Sequence, residues 1–231
     1  MELISEPYIL LTITVALYWF IKYLQNKTNS VLLNPILITI IAVISILKLT
    51  GTSYETYQDA GKYIAFFLKP SIVALGVPLY LQLSKIKKQM MPIFISQLVG
   101  SIVGIVSGVL FAKWLGASND VIISIAPKSV TTPLAIDISS AIGGIPSLTA
   151  SMVVIVGIFG SITGFRILQL FKVKNPISKS LSMGTASHGL GTAEAMAVSQ
   201  RFGAYSSMGL ILNGLFTAIF TPIILKLLGF I

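Results

Sequence analysis

The sequence predicts an all-α polytopic membrane protein, with about six full transmembrane helices and two re-entrant or broken helical hairpins that form an inverted repeat. Three observations predict this fold. Of the 231 residues, 55% are hydrophobic and only 10% are charged, whereas soluble domains carry about 25% charged residues. The apolar stretches are long and the polar connections between them are short, which favours helices over a barrel. Two further segments are too polar for lipid-facing helices, and they are similar to each other.

Six apolar stretches are predicted to cross the membrane in full. Each has about 18–25 residues, enough to span about 30 Å of hydrocarbon at 1.5 Å per residue. They are residues 7–24, 31–50, 63–83, 91–114, 146–170 and 205–229. In the third, Lys69-Pro70 and Pro78 predict a kink, because each proline lacks a backbone donor. We expect a four-helix scaffold over residues 1–115 and the inverted-repeat region over 116–231, within a single membrane domain.

Small residues recur every fourth position along the fourth predicted span. They are Ser96, Gly100, Gly104, Gly108 and Ala112. Such a face lets two helix backbones approach closely. It predicts packing within the chain, and the alternative is a dimer face of a homo-oligomer.

Two segments, residues 118–144 and 176–203, are predicted to be interrupted hairpins, because non-helical backbone at membrane depth needs protein or a water-filled cavity around it. A shift of 60 residues aligns them without gaps. The aligned pairs are Thr132 with Thr192, Ala135 with Ala195, Ser139 with Ser199, Gly143 with Gly203, Ser147 with Ser207, and Lys128 with His188. The match predicts an internal repeat.

The basic residues predict that this repeat is inverted. Three connections are basic, and they contain Lys22 and Lys27; Lys85, Lys87 and Lys88; and Arg166, Lys172, Lys174 and Lys179. The N-terminus and one other connection are acidic, and they contain Glu2 and Glu6, and Glu55 and Asp59. The positive-inside rule places the three basic connections in the cytoplasm and the N-terminus outside. The segment 118–144 then enters and leaves from outside, and 176–203 from inside.

The second arm of each hairpin is predicted to begin near the middle of the membrane. Thr132 before Pro133 is typical of an N-cap, and Thr192 is its counterpart. Two helix N-termini that converge from opposite sides favour a small anion. The predicted binding residues are Lys128, Ser129, Thr131, Thr132, Thr185, Ser187, His188, Gly189, Gly191 and Thr192.

The predicted binding residues also have alternative explanations in which they are structural. Glycines in membrane helices often serve packing, a lone histidine such as His188 can be a hydrogen-bonded structural residue, and Lys128 lies near the outer surface if its hairpin is shallow. A lysine in the membrane interior is by default a functional hypothesis. Asp137 and Glu194 either pair with basic groups such as Arg201 or carry a coupling ion or proton.

Several function classes are excluded or disfavoured by composition. The chain has no cysteine and one histidine, so we expect no metal site and no cofactor. No nucleophile and base with an orienting acid stands out, so an enzyme is not predicted. The net charge is +9, but most basic residues flank apolar stretches, which indicates anionic lipid rather than nucleic acid.

Three motifs are similar to those of the LrgB/CidB family. They are Pro127 to Pro133 (PKSVTTP), Ile142 to Ala150 (IGGIPSLTA) and Gly184 to Ala193 (GTASHGLGTA). The segment from Tyr63 to Tyr80 also resembles the family's third-span pattern. The resemblance covers nearly the whole chain and implies a multi-pass protein of the bacterial inner membrane.

The resemblance implies two alternative functions. The family is named for control of murein hydrolase activity and autolysis, as the antiholin-like partner of a small holin-like protein, LrgA or CidA. Related proteins are implicated in movement of pyruvate, and a plant plastid relative moves glycolate and glycerate. The chain is therefore expected to carry or facilitate a small monocarboxylate, or else to modulate a pore that affects wall hydrolases. Paired broken helices favour the first alternative, because a nonspecific pore has little use for them.

Overall fold

The structure, a computed structural model, describes residues 6–28, 33–67, 70, 73–74 and 76–231. The helices in these ranges are α1 Pro7–Thr28, α2 Pro35–Thr50, α3 Tyr54–Phe66, α4 Gly76–Leu81, α5 Leu83–Lys87, α6 Met90–Trp114, α7 Asn119–Ile125, α8 Thr132–Ala141, α9 Pro146–Leu170, α10 Pro176–Val198 and α11 Gln200–Leu227. No strand occurs among the described residues. The prediction of an all-helical fold is confirmed.

The chain divides into two compact units, Met1–Ala74 and Leu75–Ile231. In the first unit α1 packs against α2 and α3, and the hydroxyls of Thr14 and Tyr57 lie 3.2 Å apart across the α1–α3 contact. In the second unit α10 and α11 share the largest interface, and α9 and α6 pack beside them. The scaffold boundary predicted at residue 115 stays a prediction.

Four described helices are long and apolar enough to cross a membrane: α1, α6, α9 and α11. The chain is therefore a multi-pass membrane protein. Helix α2 is an apolar helix of 16 residues, and the third predicted span includes residues outside the described ranges, Lys69 among them. The count of six full spans therefore stays a prediction.

The polar segment before the third predicted span is helical rather than a loop. Helix α3 begins at Tyr54 because the Ser53 side chain accepts a hydrogen bond from the Thr56 backbone N–H, which satisfies one of the free donors of its first turn. Gly51, with φ of 68°, closes the preceding helix α2, since only glycine adopts this conformation freely. Two capping signals thus define a turn of three residues.

The buried stripe of α6 lies one position beyond the small-residue face over most of its length. Its buried residues are Ile93, Gln97, Ser101, Ile105, Val109 and Ala112. A side chain added at Gly100 would lie 3.6 Å from the Thr185 methyl, but one added at Gly104 would meet nothing within 4 Å. The small-residue face therefore borders open space at Gly104 instead of a neighbouring helix.

A single extended residue, Ser199, separates α10 from α11. Its backbone N–H donates to the carbonyl of Ala195 at 3.3 Å, and its carbonyl accepts from the N–H of Gly203 at 2.9 Å. Its hydroxyl accepts from the N–H of Phe202 at 3.2 Å. Ser199 thus ends one helix and caps the next.

Candidate functional site

The first interruption, residues 126–131, lies between the short helices α7 and α8. Helix α8 starts one residue earlier than predicted. Thr131 is the N-cap, with an extended backbone and no capping bond from its side chain, and its carbonyl accepts the first helical bond from the N–H of Ala135 at 2.9 Å. The prediction that Thr132 is the N-cap is therefore wrong, and Thr132 is the first helical residue.

Lys128 projects from this interruption onto α6. Its ammonium donates to the carbonyl of Gly104 at 2.8 Å. One turn further along α6, a side chain on Gly108 would overlap the ammonium. Lys128 forms no ion pair among the described residues. The glycine at 108 therefore leaves the space in which a positive charge lies without a carboxylate partner.

The second interruption lies inside α10, at Ser187 (φ −128°, ψ 15°) and His188 (φ 42°, ψ −130°). Gly191 lies against the carbonyl of Met183, although residues eight apart in a straight helix are about 12 Å apart. The chain therefore folds back on itself here. A break within 183–192 was predicted. The non-helical residues end at His188, four residues before the predicted N-cap Thr192.

Thr192 is not an N-cap. It lies within the second arm of α10, and its hydroxyl donates back to the carbonyl of His188 at 2.9 Å. Its oxygen also accepts from the hydroxyl of Ser206 at 3.1 Å. The repeat alignment placed a helix start here because it assumed that the second arms of both hairpins begin at the same register. In the second hairpin only Ser187 and His188 are non-helical, so the second arm begins earlier, directly after His188.

His188 is fastened to α9. Its Nε2–H donates to the carbonyl of Val153 at 3.0 Å, since a carbonyl can only accept. The ring fills the space that Gly157 leaves, because a side chain there would lie 2.5 Å from Cε1. The residue is buried. A positive φ is uncommon for a residue other than glycine, and these contacts hold His188 in it.

A cavity of about 390 Å³ lies between the two interruptions. It is bounded by α6, the 126–131 connection, α9, the first arm of α10, and α11. Its polar lining residues are Ser101, Ser107, Lys128, Ser129, Thr163, Ser182, Thr185, Ser187, Asn213 and Thr217. None of the lining residues is acidic, and Lys128 carries the charge.

The cavity brings together four of the predicted binding residues: Lys128, Ser129, Thr185 and Ser187. The other six do not line it, and they are Thr131, Thr132, His188, Gly189, Gly191 and Thr192. Asp137 and Glu194 are exposed side chains away from the cavity. The two interruptions thus lie beside one cavity, but their lysine and histidine do not face it together.

Sequence reasoning missed the residues that tie the cavity together. Asn213 is buried in α11, and its amide donates to the carbonyls of Ser129 at 2.9 Å and Thr185 at 3.0 Å. Its carbonyl oxygen accepts from the hydroxyl of Ser101 at 2.7 Å. Gln97 accepts from the hydroxyl of Thr185. The available signal was a strongly polar side chain within an apolar span.

This arrangement can hold a small anion. One ammonium and several hydroxyls face a space with no competing carboxylate among its lining residues. The cost of a lysine in an apolar environment falls when an anion pairs with it. The cavity volume of about 390 Å³ leaves room for a small anion.

Comparison with known sequences identifies the relatives of this chain. The sequence pattern of the LrgB-like family matches residues 14–227. The chain belongs to the LrgB-like family. It is 36% identical over 222 residues to the holin-like protein CidB of Staphylococcus epidermidis, which covers 96% of this chain and 97% of that protein. This LrgB-like chain is 35% identical over 222 residues to the holin-like protein CidB of Staphylococcus aureus, with the same coverage.

A third relative comes from another genus. The uncharacterized protein YxaC of Bacillus subtilis is 36% identical over 219 residues, which cover 95% of each chain. No solved structure matches this LrgB-like chain. The resemblance read from the three motifs is therefore confirmed, and the two CidB relatives are named as holin-like proteins.

Proposed function

We propose that this LrgB-like chain is a holin-like protein of the bacterial inner membrane, and that it carries or facilitates the movement of a small monocarboxylate, which its cavity binds. The first part is supported by the names of the CidB relatives. The second part is supported by the geometry, above all by one observation: Lys128 points into a cavity without an acidic partner among the described residues. The substrate class is pyruvate, glycolate or glycerate.

Three of the four predicted residues that line the cavity take the direct contacts in this proposal. Lys128 neutralises the carboxylate, and the hydroxyls of Ser129 and Ser187 donate to its oxygens. Thr185, whose hydroxyl donates to Gln97, lines the space beside them. Thr131, Thr132, His188, Gly189, Gly191 and Thr192 shape the two interruptions around the solute. Asp137 and Glu194 are proposed to carry a coupling ion or proton, from positions on the exposed faces of their helices.

The inverted repeat is supported by two matching anchors. Lys128 donates to a carbonyl of α6, and a glycine follows that carbonyl four residues later, at Gly108. His188 donates to a carbonyl of α9, and Gly157 follows four residues later. Each hairpin therefore rests its tip on the helix before it in the chain. We propose that these two helix–hairpin pairs are the repeated units.

The proposed topology puts the N-terminus outside and the basic connections in the cytoplasm. Exposed residues suit single-cysteine labelling, and the chain has no cysteine to remove. Lys88→Cys and Lys174→Cys are expected to react only with reagent on the cytoplasmic side, and Glu55→Cys only with external reagent. External labelling of Lys174→Cys contradicts the inverted repeat.

The second candidate function is antiholin-like pore modulation with control of murein hydrolases and autolysis. The CidB relatives support it more directly than they support carboxylate transport, since they are named holin-like proteins. A small LrgA/CidA-like membrane protein is the proposed partner, and self-association is the proposed alternative. In this candidate the cavity is a regulatory site and solutes pass elsewhere.

One experiment separates the two candidates. The chain is reconstituted in liposomes, with and without its small partner, and uptake of labelled pyruvate, glycolate and lactate is measured. Saturable uptake in which these acids compete supports the carrier. Equal leakage of an unrelated neutral solute supports the pore. Lys128→Gln is expected to lower carrier uptake at low solute concentration at least about tenfold. Lys113→Gln, which removes an exposed charge from the end of α6, serves as the matched control.

A further inference from the structure

Both interruptions leave a backbone carbonyl without a helical partner. Thr185 lies in the last turn before the break at Ser187 and His188, and such carbonyls at a helix end lack their usual donor. Ser129 lies in the non-helical connection between α7 and α8. In an apolar environment each such carbonyl requires a hydrogen-bond donor.

Asn213 satisfies both carbonyls with one amide group. Its two N–H donors reach Ser129 at 2.9 Å and Thr185 at 3.0 Å. An asparagine amide has two donors and can accept two hydrogen bonds. Its oxygen accepts from Ser101 at 2.7 Å and from Thr217 at 3.5 Å. Its hydrogen-bonding capacity is therefore filled by the protein.

We infer that Asn213 is a positioning residue that joins the tips of the two hairpins and thereby sets the shape of the cavity. A side chain whose four hydrogen bonds are all made to protein has none left for a solute, so it acts through Ser129 and Thr185. These two residues line the cavity from opposite interruptions. The inference deepens the proposed function and rests on it where the cavity is taken to bind a carboxylate.

The type of side chain is decisive. Leucine has the same number and branching of side-chain heavy atoms as asparagine but is larger and has no donor. Aspartate places an anion against two carbonyls, and serine retains one donor. A carbonyl left unpaired in a buried site is costly, so the two hairpins are expected to move apart when both donors are lost. The neighbouring Thr217 makes only the longest of the four contacts, which makes Thr217→Val a suitable control.

The test measures the distance between the hairpins directly. Spin labels are attached at Ser140→Cys on α8 and Ala193→Cys on the second arm of α10, both exposed positions. Pulsed electron resonance then records the distance distribution in the otherwise native chain, in Asn213→Leu, in Asn213→Ser and in Thr217→Val. Binding of pyruvate is measured on the same samples.

The native chain and Thr217→Val are expected to give one narrow distribution. Asn213→Leu is expected to give a broad or shifted one, and Asn213→Ser an intermediate one, with pyruvate affinity reduced on the order of tenfold for Asn213→Leu. A native distribution in either Asn213 variant that reaches the membrane overturns the inference. Changed distances in a native chain that binds no pyruvate uphold the inference and refute the proposed carboxylate site.

Discussion

The two interruptions have the same construction but different surroundings. In each, a side chain at the tip donates to a carbonyl of the preceding helix, four residues before a glycine that leaves it room. Lys128 nevertheless faces the cavity, whereas His188 is enclosed against α9. Under the proposed function, this difference assigns solute binding to the first tip and structural support to the second. The difference follows from side-chain length. The long lysine side chain carries its ammonium past the surface of α6, whereas the shorter imidazole ring ends in the space that Gly157 leaves on α9.

The largest effect is expected at the tip that faces the cavity. Lys128→Gln removes the charge but keeps a polar side chain of similar length. Since a hydrogen bond to a charged group contributes about 1.5–3 kcal/mol, affinity for pyruvate should fall at least about tenfold. Binding to the purified protein measures it, with Lys113→Gln as the control for net charge. Equal affinity in a stable Lys128→Gln protein refutes the carboxylate site.

The opposite pattern is expected at the enclosed tip. His188→Ala removes a buried ring and its bond to Val153, at a cost of about 2 kcal/mol of stability. Thermal unfolding in detergent should show a lower midpoint, while pyruvate affinity stays within about twofold. A large loss of affinity in a folded His188→Ala protein instead restores His188 as a binding residue and makes the two tips equivalent.

The glycine beside Lys128 sharpens the comparison through a matched pair on one helix face. Gly108→Ala should displace the ammonium, because the added methyl overlaps it, and weaken affinity by about 1 kcal/mol. Gly104→Ala adds the same methyl into open space and should change affinity by less than about 0.5 kcal/mol. Both variants gain the same helix propensity. Equal affinities would mean that the position of the ammonium is irrelevant.

The smallest effects separate the two threonines that were predicted to be equivalent. Thr192→Val loses its bond to His188 and leaves Ser206 without its acceptor, which should cost about 1 kcal/mol of stability. Thr132→Val changes a side chain that caps nothing and should stay within about 0.5 kcal/mol. Thermal unfolding midpoints of the two variants, measured under the same conditions, test this difference in stability. Equal losses contradict the different roles assigned here.

The long helices were predictable because hydrophobicity and length alone define them. The predicted span 146–170 coincides with α9, and Pro146 marks its start. The interruptions were predictable in outline, since glycine and hydroxyl residues replaced apolar ones over 118–144 and 176–203. The family was predictable because its motifs are specific, and the comparisons confirm it.

The details of the site were not predictable, for physical reasons. The sharp bend falls on His188 rather than on the adjacent Gly189, and only the contact with α9 explains why a residue with a side chain adopts that conformation. The caps were misplaced because aligned residues were assumed to have aligned backbones. Asn213 was overlooked because a single asparagine does not disturb an apolar span, and its partners are 84 and 28 residues away.

Ser199 gives the second hairpin a mechanical consequence. Ser199 is hydrogen-bonded to both neighbouring helices, so this one-residue joint is conformationally restricted. Any tilt of the second arm of α10 must therefore tilt α11 as well, because the joint between them is held rigidly. Asn213 lies on α11, fourteen residues after Ser199. A tilt of the second hairpin is therefore transmitted along α11 to Ser129 at the tip of the first hairpin. Glycines inserted after Ser199 should loosen this joint. Helices α10 and α11 should stay folded, but a tilt of α10 should no longer move α11.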